Sequence, residues 1–222
     1  GDVAAVVLRA DSPGGDRLPS DLVAEGMRKV REARKPVIVT QGDVAASGGY
    51  WISMEADRVL TTPFTLTGSI GVISGWVWDA GFGGKTGLSA DGVQRGKHAD
   101  LFAGIRLPFL DVRLPTRPLT EEERERSRDL ILGMYGEFVA RVARARDLPE
   151  DAVREVGGGR VWMGEDAVER GLCDAVGTLA DAVEEAAARA GADPADVILE
   201  EFPERRRFRL PSLAPELPRL PW

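Results

Sequence analysis

The stretch Gly42-Asp43-Val44-Ala45-Ala46-Ser47-Gly48-Gly49-Tyr50-Trp51 decides the fold, because it joins a predicted strand to a predicted helix at a serine. The β-branched run at 36–40 is typical of a buried strand, and the residues from Trp51 onward have the apolar spacing of a helix. A serine at such a sharp turn exposes its hydroxyl beside the first N–H groups of the helix. Ser47 is therefore a candidate nucleophile, and a helix start that is merely capped by a serine is the alternative.

The order of strands and helices around this stretch predicts a parallel α/β sheet. Residues 4–10 are predicted to form an apolar strand, residues 20–34 an amphipathic helix with Ser20 as its N-cap, and residues 36–40 the next strand. A strand-helix-strand unit of this kind gives two parallel strands. Because a strand-strand-helix spacing repeats, we expect the sheet to bend as a superhelix of β-β-α units. Further strands are predicted at 58–61, 70–73 and 88–94, and an irregular segment with several prolines at 107–118.

The pattern divides the chain into three segments. Residues 1–118 are predicted to be the α/β superhelical core with the nucleophile, residues 119–202 a helical part of the same domain, and residues 203–222 a tail rich in proline and arginine. Capping boxes are predicted to begin two of the C-terminal helices, at Thr120 and at Thr178.

The composition excludes several classes of protein. A formal net charge of −7 gives no general basic surface for phosphates, so a nucleic-acid binder is not expected. Cys173 and His98 are the single residues of their kinds, so neither a disulfide framework nor a Cys-rich or multi-His metal site is expected, and we predict no metal or cofactor. No apolar run reaches the ~18 residues of a membrane span and no signal peptide heads the sequence, so this segment is expected to be soluble.

Three turns converge on one edge of the predicted sheet. The pair Gly14-Gly15 follows the first strand, Ser47 follows the second, and Gly68-Ser69 precedes a later one. The carboxyl ends of neighbouring parallel strands share an edge, so all three turns can line one cleft. Because glycine permits positive φ and close backbone approach, an N–H of the first turn can face a ligand there.

Five segments of the sequence match the motifs of one peptidase family: Asp11-Ser12-Pro13-Gly14-Gly15, the stretch 42–51, Leu66-Thr67-Gly68-Ser69-Ile70-Gly71-Val72, Gly159-Arg160-Val161-Trp162 and Gly171-Leu172-Cys173-Asp174. They resemble the signal peptide peptidase A family of serine peptidases, which has a ClpP/crotonase-like fold. The resemblance covers about residues 4–190. It implies that Ser47 is the acylated nucleophile, that the N–H groups of Gly14 and Gly48 form the oxyanion hole, and that Ser69 holds the ammonium of a lysine base.

The same resemblance implies a substrate, partners and a location. It implies a peptide or signal-peptide substrate, assembly with a like or related protease domain as a homo-oligomer, and a place in the bacterial cell envelope. Membrane association would come through segments outside this one. Trp76 and Trp78 lie in a glycine-rich segment and are candidates for the interface, since exposed aromatic residues are enriched at association surfaces.

One position departs from the family pattern. Single-domain members carry Gly-x-(His/Tyr)-Lys, whereas this chain has Ala99 at the lysine position and Lys97 two residues earlier. A lysine can act as a base only if burial lowers its pKa far below ~10.4. The family also has a tandem form, and the alanine together with a start inside a strand resembles its serine-bearing C-terminal half. We therefore expect a lysine supplied from outside this segment, and Lys97 is the other candidate base.

Two other functions are compatible with the sequence. Ala99 permits a non-catalytic half-site domain that binds peptide and supports assembly. An acyl-CoA enzyme of the crotonase type would share the fold and use paired N–H groups, but it needs no serine at this helix start. The Gly-rich turns also lack the paired Glu residues for its proton transfers. A serine endopeptidase with a Ser/Lys dyad is therefore the favoured prediction.

Overall fold

The computed structural model describes residues 3–107 and 112–203, except for the side chain of Val112. The predicted tail thus lies outside the described residues apart from Pro203. The strands are β1 Val6–Ser12, β2 Val37–Ala46, β3 Arg58–Thr61, β4 Leu66–Gly68, β5 Gly104–Leu107, β6 Val112–Pro115, β7 Val161–Met163 and β8 Ala175–Val176. The helices are α1 Arg17–Glu32, α2 Gly48–Trp51, α3 Phe82–Thr86, α4 Glu121–Arg146, α5 Glu150–Val156, α6 Gly164–Glu169 and α7 Leu179–Arg189, with a 3₁₀ turn at Pro194–Asp196. None of the helices within these ranges is both long and apolar enough to cross a membrane.

Six strands form one curled sheet built around β2. β1 runs parallel to β2 along residues 37–45 and occupies one of its edges. β3 pairs with residues 38–40 and β4 with residues 44–46, both parallel. Because each edge of a strand accepts one neighbour at a time, β3 and β4 follow one another along the opposite edge. β8 extends the β3 half and the antiparallel β7 extends the β4 half, so the sheet divides and curls at β2.

Helices cover both faces of β2. Val37 and Val39 are fully buried in a large core that includes side chains of α1, α2 and α4. Ile38, between them, packs in a second core against Ala182 and Ala186 of α7. Successive residues of a strand face opposite sides, so a strand buried on both sides has a continuous apolar run without alternation. The mixed α/β architecture predicted from this run is confirmed.

Helix starts depend on capping side chains, and one predicted cap is wrong. The Asp16 carboxylate accepts the N–H of Leu18 at 2.8 Å and is the N-cap of α1. The helix therefore begins one turn before Ser20, which was predicted to be the cap. The capping boxes predicted at Thr120 and Thr178 are both formed, each with the acidic residue three positions later.

Three strand predictions differ from the structure. β3 lies where it was predicted, but residues 70–73 and residues 88–94 contain no strand. β4 lies just before the first of these, and its Thr67 is fully buried because the hydroxyl donates to the carbonyl of Ala45 at 2.9 Å. That bond satisfies the polar group that made this part of the sequence resemble a loop. The segment 107–118 was predicted to be irregular, but it contains β6, which pairs antiparallel with β5 just before the segment.

A buried ion pair joins α4 to the sheet. The Arg146 guanidinium, 8% exposed, contacts both carboxylate oxygens of Asp174, at 2.7 and 3.1 Å. The same carboxylate accepts the N–H of Val59 in β3 at 2.6 Å, and Arg146 also donates to the carbonyl of Gly171 at 3.0 Å. Burial alone would raise the pKa of Asp174, but the hydrogen bonds from Arg146 and Val59 outweigh it and lower the pKa. The charged carboxylate therefore stabilises the folded state.

We expect Asp174→Asn to lower the free energy of unfolding by about 3 kcal/mol near neutral pH, because it leaves the buried Arg146 without a counter-charge. Because the folded-state pKa of Asp174 is depressed, its contribution is present above the unfolded-state pKa of ~3.9 and is lost as the pH falls through the folded-state value. Urea denaturation at several pH values measures this. The control is Asp166→Asn, which removes an exposed partner of Arg170 and should cost less than about 0.5 kcal/mol. Equal losses for both variants would contradict the prediction.

Candidate active site

Ser47 lies at a strained turn between β2 and α2. Its backbone has φ 53° and ψ −115°, a conformation that is uncommon for a residue with a side chain. Two backbone hydrogen bonds fix the turn. The Ser47 N–H donates to the carbonyl of Gly68 at 2.8 Å, and the Ser47 carbonyl accepts the N–H of Trp51 at 2.8 Å. A strained strand-to-helix turn of this kind presents the serine hydroxyl at the edge of the sheet.

Ser47 is half-buried, and its hydroxyl has no partner among the described residues. It makes no capping hydrogen bond to α2, so the alternative of a simple capping serine has no support in the structure. Within residues 3–107 and 112–203, no hydrogen-bond partner of this hydroxyl is found in the fold itself. The oxygen is therefore available to a substrate and to a base supplied from elsewhere.

Glycines allow the loop between β1 and α1 to lie directly on this turn. Gly14 has φ 109°, and a Cβ there would lie 2.8 Å from the nitrogen of Gly48 and from the Cβ of Ser47. A Cβ on Gly49 would lie 2.3 Å from the carbonyl oxygen of Ser12. Real Cβ contacts are longer than this, so the packing requires glycine. The predicted convergence of the first two turns is therefore present in the structure.

Of the two N–H groups predicted to form the oxyanion hole, that of Gly48 is free and that of Gly14 already has a hydrogen-bond partner. Gly48 is the first residue of α2, and such N–H groups have no partner within the helix. The N–H of Gly14 donates instead to the hydroxyl of Ser12 at 3.2 Å. The N–H of Gly15 has no partner among the described residues, and its nitrogen lies 3.2 Å from the Cβ position of Gly48. Sequence reasoning missed Gly15 as a donor. The signal was Ser12, because a serine hydroxyl can accept the N–H two residues later, which here belongs to Gly14 and leaves the N–H of Gly15 free.

Ser69 lies beside Ser47 at the same edge of the sheet. Ala46 of β2 is paired with Gly68 of β4, and each serine is the next residue after a paired position. Ser69 also has a positive φ, 49°, and its N–H donates to the carbonyl of Arg160 at 2.8 Å. The two hydroxyl-bearing residues are therefore placed side by side by the strand register.

Lys97 lies away from these serines. Its side chain is 72% exposed, and its ammonium pairs with the carboxylate of Glu122 in the first turn of α4. The part of α4 that packs near Ser47 is at Phe138, which contacts Trp51 of α2. Glu122, the partner of Lys97, lies about 24 Å from Phe138 along the axis of the same helix. Within the part of the chain that the structure describes, no hydrogen bond joins Lys97 to either serine. An exposed, paired lysine also lacks the burial that would make it a base, so the assignment of Lys97 stays a prediction with little structural support.

An ion-pair network holds the segment around Ala99. The carboxylate of Glu123 accepts from Arg117 at 2.7 Å and contacts Nδ1 of His98 at 2.8 Å, and Arg117 also binds Asp100 at 2.5 Å. The hydrogen bond from Arg117 holds the pKa of Glu123 well below its usual range and lowers the pKa of Asp100. These carboxylates are therefore ionised partners of Arg117 and fix the loop to α4. Across the described ranges, no group of three or more His, Cys, Asp or Glu side chains could hold a metal ion.

Comparison with known proteins identifies relatives of the chain. The family model for peptidase family S49 matches residues 29–193. Serine protease SPPA, chloroplastic, of Arabidopsis thaliana is 41% identical over 179 residues, which cover 81% of this chain and 25% of that protein. Protease 4 of Haemophilus influenzae is 35% identical over 184 residues, which cover 83% of this chain and 28% of that protein. The chain thus spans about a quarter of the length of these two relatives.

A solved structure shares the fold. A mutant of 1510-N, a membrane-bound stomatin-specific protease, aligns with a TM-score of 0.50 at 14% sequence identity, over 83% of this chain and 70% of that chain. At this sequence identity the similarity shows a shared fold and nothing about function.

We expect Gly49→Ala to lower the free energy of unfolding by about 1 to 3 kcal/mol, because the new methyl group would overlap the Ser12 carbonyl. Gly26→Ala is a matched control, since Gly26 lies in α1 with nothing within 4 Å of its Cβ position. That change should leave stability unchanged or raise it by up to about 1 kcal/mol. Urea denaturation of both variants tests the contact, and similar curves for both would show that the loop does not press on the Ser47 turn.

Proposed function

Because the chain belongs to peptidase family S49, we propose that it is a serine endopeptidase domain with Ser47 as its nucleophile. The observation that carries this proposal is a serine at a strained strand-to-helix turn, with a free hydroxyl beside two unpartnered N–H groups. In the reaction, Oγ of Ser47 attacks the peptide carbonyl carbon and its proton passes to a base. The oxygen that becomes negative is held by the N–H of Gly48 and by that of Gly15, which takes the place first assigned to Gly14.

The base is a lysine supplied from outside the segment. Ala99 has no side chain to serve as a base, and Lys97 is exposed and paired with Glu122. A lysine from a like or related protease domain would enter beside Ser69, whose hydroxyl would hold the ammonium. Partial desolvation in that cleft would lower the lysine pKa so that it can accept the proton of Ser47. The chain therefore acts as the serine-bearing half of a tandem or of an assembly with a related, lysine-bearing domain.

The curled sheet is consistent with a ClpP/crotonase-like superhelix. β3 and β4 succeed each other on one edge of β2, which turns the sheet between residues 40 and 44, a few residues before Ser47. An extended peptide, such as a remnant signal peptide, would bind along an exposed strand edge of this cleft by β-augmentation. The surroundings would be the bacterial cell envelope, with membrane association through other segments.

Assembly would use the segment that follows β4. Trp78 and Phe82 are exposed there, while Trp76 is half-buried and packs against the ring of Phe102 at 5.8 Å. Exposed apolar side chains close together in this way are typical of a surface that a partner covers. The proposed partner is another protease domain of the same kind.

A second candidate function is a half-site domain that binds peptide without cleaving it. The observation that favours it is that Ala99 stands at the lysine position of the motif, while Lys97 is exposed and pairs with Glu122. The two functions are distinguished by covalent reactivity, because only a peptidase site activates the hydroxyl.

In the presence of a lysine-bearing partner domain, a fluorophosphonate probe should label the chain, and Ser47→Ala should abolish both the labelling and any peptide turnover. Ser89→Ala, at an exposed serine far from the turn in sequence, is the control and should label like the unaltered chain. Mass spectrometry of the labelled peptide identifies the site. Retained peptide binding without any labelling would support the half-site domain and refute the peptidase.

We expect the isolated chain to acylate about 10²- to 10⁴-fold more slowly than the chain with a lysine-bearing partner domain, because general-base assistance is worth that factor. Activity of the pair should rise toward alkaline pH, since the lysine must lose its proton first. Lys97→Ala should change the rate little, in steady-state assays with and without the partner domain. If the isolated chain hydrolyses peptides well and Lys97→Ala stops it, Lys97 is the base and the tandem proposal is wrong.

A further inference from the structure

Strand β1 ends beside the Ser47 turn, across a bulge in β2. Residues 42–44 of β2 lie opposite the single residue Asp11 of β1. The Asp11 carboxylate accepts the N–H of Val44 at 3.3 Å, and regular pairing of the two strands resumes with Ser12. Bulges next to active sites re-aim the side chains that follow them. The bulge therefore sets the position of Ser12 relative to the end of β2.

Ser12 is held through both its backbone and its side chain. Its carbonyl oxygen lies so close to α2 that a Cβ on Gly49 would be 2.3 Å away. Its hydroxyl accepts the N–H of Gly14 at 3.2 Å. Pro13, between the two, has a fixed φ and no N–H of its own. The chain from Ser12 to Gly14 is therefore a turn closed by one hydrogen bond, and the acceptor of that bond is anchored on the sheet.

The bond to Ser12 decides which N–H of the glycine pair is free. The N–H of Gly14 is committed to the hydroxyl, whereas that of Gly15 has no partner among the described residues. Both glycines have positive φ, 109° and 150°, where a residue without Cβ changes conformation at little steric cost. The peptide unit between them carries the N–H of Gly15. Because the bond holds one end of this unit, the Ser12 hydroxyl restrains the direction of the Gly15 N–H.

We propose that Ser12 is a positioning residue of the oxyanion hole. Its hydroxyl holds Gly14 in place and so keeps the N–H of Gly15 directed at the oxygen that becomes negative beside Ser47. The role rests on the proposed peptidase function, since it acts on the charge that forms when Oγ of Ser47 attacks. Preorganised donors stabilise that charge more than they stabilise the bound substrate. Loss of the Ser12 hydroxyl should therefore slow acylation and leave binding nearly unchanged.

The kinetics of fluorophosphonate labelling test this role, with a lysine-bearing partner domain present. In that reaction Oγ of Ser47 displaces fluoride from phosphorus, its proton passes to the base, and the phosphoryl oxygen takes the place of the oxyanion. We expect Ser12→Ala to lower the limiting labelling rate about tenfold or more, against the roughly 10²- to 10³-fold effect of removing a whole donor. The probe concentration at half-maximal rate should change less than about twofold.

Two further variants separate the hydroxyl from general effects on the fold. Ser12→Thr keeps a hydroxyl at the same position and should restore most of the labelling rate. Asp193→Ala is the matched control, because it removes the same kind of bond, from a side chain to the N–H two residues later, in the segment after α7. It should label like the unaltered chain. Equal slowing by Ser12→Ala and Asp193→Ala, or failure of Ser12→Thr to restore the rate, would refute the role of Ser12.

The amide proton shifts of the two glycines, measured by NMR, give a readout that a merely structural role would not move. Labelling of Ser47 in the unaltered chain should move the Gly15 proton downfield, because its N–H donates to the phosphoryl oxygen, and should leave the Gly14 proton nearly unchanged. A larger shift at Gly14 than at Gly15 would overturn the inference without any variant of Ser12.

The unaltered chain separates this inference from the peptidase proposal. If the probe does not label Ser47 in the presence of the partner domain, the peptidase proposal fails and the role of Ser12 fails with it. If Ser47 is labelled and Ser12→Ala reacts as fast as the unaltered chain, only the role of Ser12 is refuted.

Discussion

The hydrogen bonding of β2 to three other strands is the constraint on which the rest of the structure depends. A ten-residue strand that shares one edge between β3 and β4 has to turn the sheet partway along its length. The turn brings the ends of β1, β2 and β4 to one place. Ser47 ends β2, Ser69 follows β4, and the glycines after β1 fill the space above them. The candidate site is therefore a result of strand pairing more than of any single motif.

Helix α4 supports this arrangement from behind. The rings of Phe138 and Trp51 have their centres 4.9 Å apart. The Arg141 guanidinium lies 4.6 Å from the centre of the Trp51 ring. Arg146, five residues further along α4, joins the helix to β3 through Asp174. A four-residue helix such as α2 is not stable alone, because helix formation needs a costly first turn. The turn at Ser47 is rigid because a much longer helix holds the end of α2.

The sequence was sufficient for the family, through its motifs, and for the architecture, through a β-branched run and two capping boxes. The membership in a peptidase family and the mixed α/β fold are both confirmed. Two details differ from the prediction because a single hydrogen bond decides each of them. Asp16 rather than Ser20 caps α1, through a bond to the N–H two residues later, and Thr67 is buried because its hydroxyl bonds to the carbonyl of Ala45 on the neighbouring strand. Periodicity does not indicate which partner such a polar group finds.

The bond from the N–H of Ser69 to the carbonyl of Arg160 has a consequence for biosynthesis. β4 pairs with β7 and β3 with β8, so the elements that hold the site come from opposite ends of the described chain. Proteins emerge from the ribosome N-terminal end first, so Ser47 appears long before the strand that fixes Ser69. Contacts this distant in sequence also form slowly. From the synthesis of Ser47 until β7 has emerged, a nascent chain would therefore carry the serine pair unassembled, and the candidate site would form only with the last strands of its sheet.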